Sequence, residues 1–137
     1  MKPEAERFIE KARKLLVHAD TMLSVGLNDD AGRTAYLAGF HAALALIFER
    51  MGKTCKTHKG VQMEFLRLTR GDPNVPADLR IFLSQAYNLK AIADYETSQN
   101  SEISLERATA SVDTSKQFVA LITDLIKTPP KPAGDSE

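Results

Sequence analysis

The sequence predicts an all-α fold, an antiparallel bundle of four long helices plus one short helix. Three observations lead there. Apolar residues recur three and four apart through most of the chain. No alternating apolar and polar run of strand length is flanked by hairpin turn residues. With no Trp among 137 residues and 7% aromatic residues, the core must be built mainly from Leu, Ala, Ile and Phe.

Phe8, Ala12, Leu15, Leu16, Ala19 and Leu23 share one stripe of a first helix. Gly26 is placed to end it, because glycine enters the left-handed conformation without a Cβ penalty. Asp29 and Asp30 then supply an N-cap and an acidic first turn for a second helix that runs to about Met51 and stops at Gly52. Between Thr34 and Phe48 that helix reads TAYLAGFHAALALIF, apolar on nearly every side, so it is expected at the centre of the bundle. Its apolar stretch of about fifteen residues is shorter than the roughly 20 that cross a bilayer, and His41 sits in its middle, so no membrane span is expected.

GKTCKT connects to a short third helix that Thr57 caps and that carries Val61, Phe65, Leu66 and Leu68. Gly71 and the GDPNVP run end it. Pro76 and Asp78 open a fourth helix with Leu79, Phe82, Leu83, Ala86, Leu89 and Ala93 in step, ending near Tyr95. ETSQNSE reads as a loop. Ser104 or Ser101 then caps a fifth helix bearing Leu105, Ala108, Val112, Phe118, Val119, Ile122, Leu125 and Ile126, which Pro129 and Pro130 terminate. The bundle is thus expected over residues 1–127 and a disordered tail over 128–137.

Composition narrows the function classes. Eighteen basic and 18 acidic residues leave no net charge, which argues against a surface that coats DNA or an anionic membrane as a whole. The single Cys55 excludes an internal disulfide and a cysteine-rich zinc site. The charged opening MKPEAERFIEKARK is not a secretory signal, so a cytoplasmic location is the expectation. There is no glycine-rich phosphate loop. His18, His41 and His58 fall on three different helices without Glu-x-x-His pairs, so neither a metal nor another cofactor is expected. Cys55, between Lys53 and Lys56, reads as a tolerated surface thiol.

Charge is unevenly distributed along this neutral chain. From Arg50 to Arg70 there are six basic residues, including Lys56 and Lys59, against the lone acid Glu64. His58 and Lys59 begin a helix, where unpaired backbone N–H groups attract anions. The stretch is either a solvated loop or a site for phosphate, nucleotide or RNA backbone. His41 is expected to be largely buried and hydrogen-bonded to a neighbouring helix, and Tyr36, one turn from both Arg33 and Phe40, to be a packing aromatic. Lys90 and Asp94, four apart with Tyr87 one turn earlier and Tyr95 following, read as a surface ion pair.

Four stretches in order and spacing resemble the HEPN family of small helical bundles, in particular its stand-alone prokaryotic subgroup. They are EKARKLLVHADTMLSVGLNDDAGRTAYLAGFHAALALIFERMG, KTHKGVQMEF, LSQAYNLKAIADYE and SLERATASVDTSKQFVALITDLI, and together they span about Ala5 to Ile126. The resemblance implies a bundle that forms a homodimer, occurs in toxin–antitoxin systems and partners a minimal nucleotidyltransferase. Many members of the family are metal-independent ribonucleases that use an arginine followed after four to six residues by a histidine in a late helix. Here the only literal match, Arg13 to His18, lies in the first helix, where side chains five apart diverge by about 140°. No histidine follows Arg80 or Lys90, and the subgroup carries an arginine where Lys90 stands. The tyrosine that follows the motif histidine by two residues, and that receives the nucleotidyl group in some family pairs, is also missing.

The leading expectation is therefore a non-catalytic binding module, partner of a nucleotidyltransferase or binder of nucleotide or RNA. Its ligand contacts are expected at Lys56, His58, Lys59, Lys90 and Tyr95. The competing expectation is a ribonuclease toxin whose site is assembled across a dimer from Arg33, His41 or His58 with Lys90, Asp94 and Tyr95. A purely structural helical adaptor is the third.

Overall fold

A computed structural model of the chain describes residues 1–95 and 102–128. Those residues form six helices: α1 (Pro3–Ser24), α2 (Asn28–Met51), α3 (His58–Leu68), α4 (Ala77–Arg80), α5 (Phe82–Tyr95) and α6 (Leu105–Lys127). No strand occurs among the described residues. Most of ETSQNSE, the alternative cap Ser101, the Pro129 and Pro130 stop, and the expected tail beyond Thr128 lie outside them.

Side-chain links fix the direction of each helix. Lys2 N–H donates to Glu49 Oε1 at 2.7 Å and Thr34 Oγ1 lies 3.3 Å from Met22 Sδ, so α1 and α2 run antiparallel. Ser115 Oγ donates to the Ala35 carbonyl at 2.8 Å and Arg50 donates to the Leu125 carbonyl at 3.0 Å, so α6 runs parallel to α2. Gly39 faces Phe82 while Arg33 reaches Asp94, which sets α5 antiparallel to α2. The result is an up-down-up-down bundle of α1, α2, α5 and α6, with α3 and α4 inserted in the crossing from α2 to α5.

Four of the expected caps form where the sequence places them. Gly26 and Gly52 take φ of 81° and 70°, the left-handed conformation that ends α1 and α2. Thr57 Oγ1 accepts from Gly60 N–H at 2.9 Å and Ser104 Oγ from Arg107 N–H at 3.1 Å. Asp29 does not cap α2, which starts after Leu27. Its Oδ1 instead accepts from Ile103 N–H at 2.9 Å, tying the entry of α6 to the start of α2.

The expected fourth helix is divided at Ile81 into the single turn α4 and the longer α5. Arg80 donates to the Leu66 carbonyl at 2.9 Å, which anchors that turn to the end of α3 while Leu79 and Phe82 stay buried and Ile81 faces out. His41 also departs from expectation. It is half-buried, and its Nδ1 bonds the Leu37 carbonyl of its own helix at 2.8 Å rather than a group on a neighbouring helix. α2 has 24 residues, longer than its apolar stretch suggests and enough by length and composition to cross a membrane; 72% of its most apolar stretch is buried by the other helices.

Such burial requires close approach of α2 and α5. A Cβ on Gly39 would lie 2.5 Å from Phe82 Cε2 and 3.3 Å from Leu83 Cδ2, and both neighbours are buried. Gly39→Ala gains about 1 kcal/mol of helix propensity but meets an overpacking cost of about 1–3 kcal/mol. The expected outcome of thermal or urea unfolding is a net loss of stability for Gly39→Ala, with no loss for Gly39→Ala made alongside Phe82→Leu, which makes room.

Candidate functional site

The second helix carries one polar stripe on its otherwise apolar surface. Arg33, Tyr36 and Phe40 stand at i, i+3 and i+7, and α5 offers Tyr87, Lys90 and Asp94 at the same spacing. Because the helices run antiparallel, the two stripes face each other, and His58 at the start of α3 closes one end.

At that end four rings meet. The Tyr36 ring centre lies 5.5 Å from that of Tyr87 and 5.6 Å from that of His58. His58 in turn lies 5.0 Å from Phe40 and 5.3 Å from Tyr87. Tyr36 is fully buried, and its hydroxyl sits 2.7 Å from His58 Nδ1. Burial first, then the neighbouring Tyr87 hydroxyl, pushes the Tyr36 pKa well above its ordinary value, against a weaker opposite pull from the Gln62 side chain. The group therefore stays a phenol, and a buried O–H must be used. Tyr36 donates to Nδ1, which leaves the proton of a neutral His58 on Nε2. His58 itself is exposed, so a buried tyrosine orients an imidazole that solvent reaches.

At the other end three charged groups converge. Asp94 accepts from Arg33 Nε through Oδ1 and from Lys90 Nζ through Oδ2. Arg33 also donates to Asp30 and, at 3.1 Å, to the Ala93 carbonyl. The hydrogen bond from Lys90 is the main cause that holds the Asp94 carboxyl below its ordinary pKa; partial burial, next in size, opposes it, and the hydrogen bond from Arg33 adds to the lowering. Lys90 Nζ lies 5.9 Å from the centre of the Tyr87 ring, which links the charged end to the aromatic one.

One chain thus brings Arg33, Lys90 and Asp94 together and sets His58 against the same Tyr87. His41 is not part of the cluster. It lies towards α1, with its ring centre 6.3 Å from Phe8. Tyr95 is 78% exposed at the end of α5 and makes none of these contacts. Of the basic stretch, Arg50 is committed to the Leu125 carbonyl and Arg67 to Glu64, while Lys56 and Lys59 flank His58 with no ion pair among the described residues. Tyr36 and Tyr87 are the site residues that sequence reasoning passes over. The matched i, i+3, i+7 stripes on α2 and α5 are the signal that points to them. No group of three or more His, Cys, Asp or Glu suited to a metal occurs among the described residues. A groove of about 430 Å³ between α5 and α6, lined by Gln85, Asn88, Arg107 and Thr114, contains none of the cluster residues.

The sign of the pH dependence follows from Asp94. Its folded pKa is depressed, so its contribution to stability is complete above the ordinary aspartate value of 3.8 and is lost as the pH falls towards the lower folded value. Asp94→Asn is expected to cost about 0.5–1 kcal/mol at neutral pH, because the group is near the surface. Unfolding measured from pH 7 down to pH 3 should show the variant and wild type converging in acid; a constant difference would contradict the pairing.

The family model of the HEPN domain matches residues 5–125. A UPF0332 protein of Archaeoglobus fulgidus is 35% identical over 92 residues, which cover 67% of this chain and 72% of the relative. The crystal structure of TT1696 from Thermus thermophilus superposes with a TM-score of 0.75 at 21% identity over 90% of this chain and 98% of its own, a likeness of fold. With the family model spanning nearly the whole bundle and a relative at this identity beside it, the chain belongs to the HEPN domain family.

Proposed function

We propose that this HEPN bundle is a binding module for phosphate-bearing ligands, RNA or nucleotide, seated where α3 begins. The observation that carries the reading is the exposed His58 imidazole, oriented by the buried Tyr36 hydroxyl and flanked by Lys56 and Lys59, which have no ion pair among the described residues. Nε2–H of His58 is a donor towards a phosphoryl oxygen, and the two ammonium groups add charge attraction. Thr57 caps Gly60 N–H, while the amides of His58 and Lys59 at the first turn add their partial positive charge. Tyr87 and Lys90 adjoin on α5, one as a ring for stacking and the other as a further cation. Family membership supports the wider setting: a cytoplasmic homodimer in a toxin–antitoxin-like system with a nucleotidyltransferase-like protein as partner.

A metal-independent ribonuclease is the second reading. It is favoured by one observation, an imidazole of fixed orientation against the ring that also lies under Lys90, since RNA cleavage needs a proton acceptor and a cation on the phosphate. The departure from the arginine and histidine spacing of the ribonuclease members weighs against it.

Titration of a labelled single-stranded oligoribonucleotide and of ATP into wild type and a Lys56→Glu, Lys59→Glu double variant tests the binding reading. Wild-type affinity is expected to fall as salt rises, and the double variant to bind about tenfold more weakly at low salt. Equal affinity in the two proteins would show that the basic stretch is a solvated loop. Incubating the same oligonucleotide with wild type and His58→Ala separates binding from cleavage, with intact RNA in both expected of a binding module.

A further inference from the structure

We infer that Arg33 and Lys90 form an anion seat which the protein's own Asp94 occupies, and that a ligand phosphate takes the seat by displacing that carboxylate. The inference rests on the phosphate-binding reading above and names a competitor within the same site.

The two cations come from different helices, and each donates to a different oxygen of one carboxylate. Two oxygens of a phosphate accept from a guanidinium and an ammonium in the same way. The seat is reachable, since the side chains of Arg33, Lys90 and Asp94 are 33%, 20% and 21% exposed. It also adjoins the proposed phosphate site, because Lys90 and His58 both lie against Tyr87, 5.9 and 5.3 Å from its ring centre.

Asp94 itself is poorly placed for its helix. Its partner Lys90 precedes it by four residues, the less favourable order for a helical ion pair. The carboxylate is therefore held by the two cations rather than by its own helix, and an anion that competes for them releases it. Removing Asp94 leaves Arg33 its bond to Asp30, so the guanidinium keeps its place while Lys90 loses its partner.

The probes are an oligouridylate and ATP, which separate strand phosphate from free nucleotide phosphate. Both are titrated at low salt into wild type, Asp94→Asn, Lys90→Gln, the double variant and the Lys56→Glu, Lys59→Glu protein. Asp94→Asn is expected to bind at least one probe about threefold or more tightly than wild type. That gain should vanish in the Lys90→Gln background, whereas a general effect of removing a negative charge would persist there. Equal or weaker binding of both probes by Asp94→Asn, or the same gain without Lys90, overturns the inference. If that happens while the Lys56→Glu, Lys59→Glu protein still binds more weakly than wild type, the phosphate-binding reading stands alone. Absence of binding by every protein overturns both. Should Asp94→Asn lose its helical circular dichroism, wild type carries the test. Movement of the Lys90 Nζ resonance on saturation with the better-binding probe supports the seat, and an unmoved resonance overturns it.

Discussion

A helix that is apolar on almost every side cannot lie on a surface, and the bundle follows from that requirement on α2. Ala31, Ala35, Ala38, Ala42, Ala43 and Ala45 are all fully buried. Their small side chains let α1, α5 and α6 approach from different directions, and Gly39 removes even a methyl group where Phe82 crosses. Each surrounding helix needs only one apolar stripe, as on α1 and α6, because α2 supplies the shared centre. The up-down-up-down order then follows from short connections, with α3 and α4 filling the one long crossing.

The site is the exception to this apolar wrapping. Along Arg33, Tyr36 and Phe40 the central helix carries polar and aromatic groups, and they must find partners inside the packing. Tyr36 finds His58 across the start of α3, and Arg33 finds Asp94 across the end of α5. The same need for satisfaction that stabilises the bundle thereby orients an exposed imidazole and gathers two cations on one carboxylate. Fold and site both originate in the central helix, the fold in its apolar faces and the site in its polar stripe.

Much of this is legible in the sequence, for reasons that differ by element. The ends at Gly26, Gly52, Thr57 and Ser104 depend on local chemistry within a few residues, and they form as read. The central position of α2 is legible because its composition leaves no face for water. The break at Ile81 is not, because it is set by contact with α3 through the Leu66 carbonyl, and periodicity runs through it unbroken. His41 reads as a core residue from its apolar neighbours, yet half-burial and an i to i−4 bond depend on how closely α1 covers it. Lys90 and Asp94 are visible as a pair. Arg33 as their third member needs the antiparallel register of α2 and α5, which joins partners separated by about sixty residues of chain.

The central claim is that a buried tyrosine of the core helix holds the exposed His58 in one orientation. Nitrogen-15 NMR of the imidazole at pH 8 tests it most directly. In wild type the His58 ring nitrogens should show a single tautomer, with the proton on Nε2 and Nδ1 accepting a hydrogen bond, and Tyr36→Phe should abolish that bonded signature while His18 is unchanged. A His58 spectrum identical in wild type and Tyr36→Phe would contradict the account.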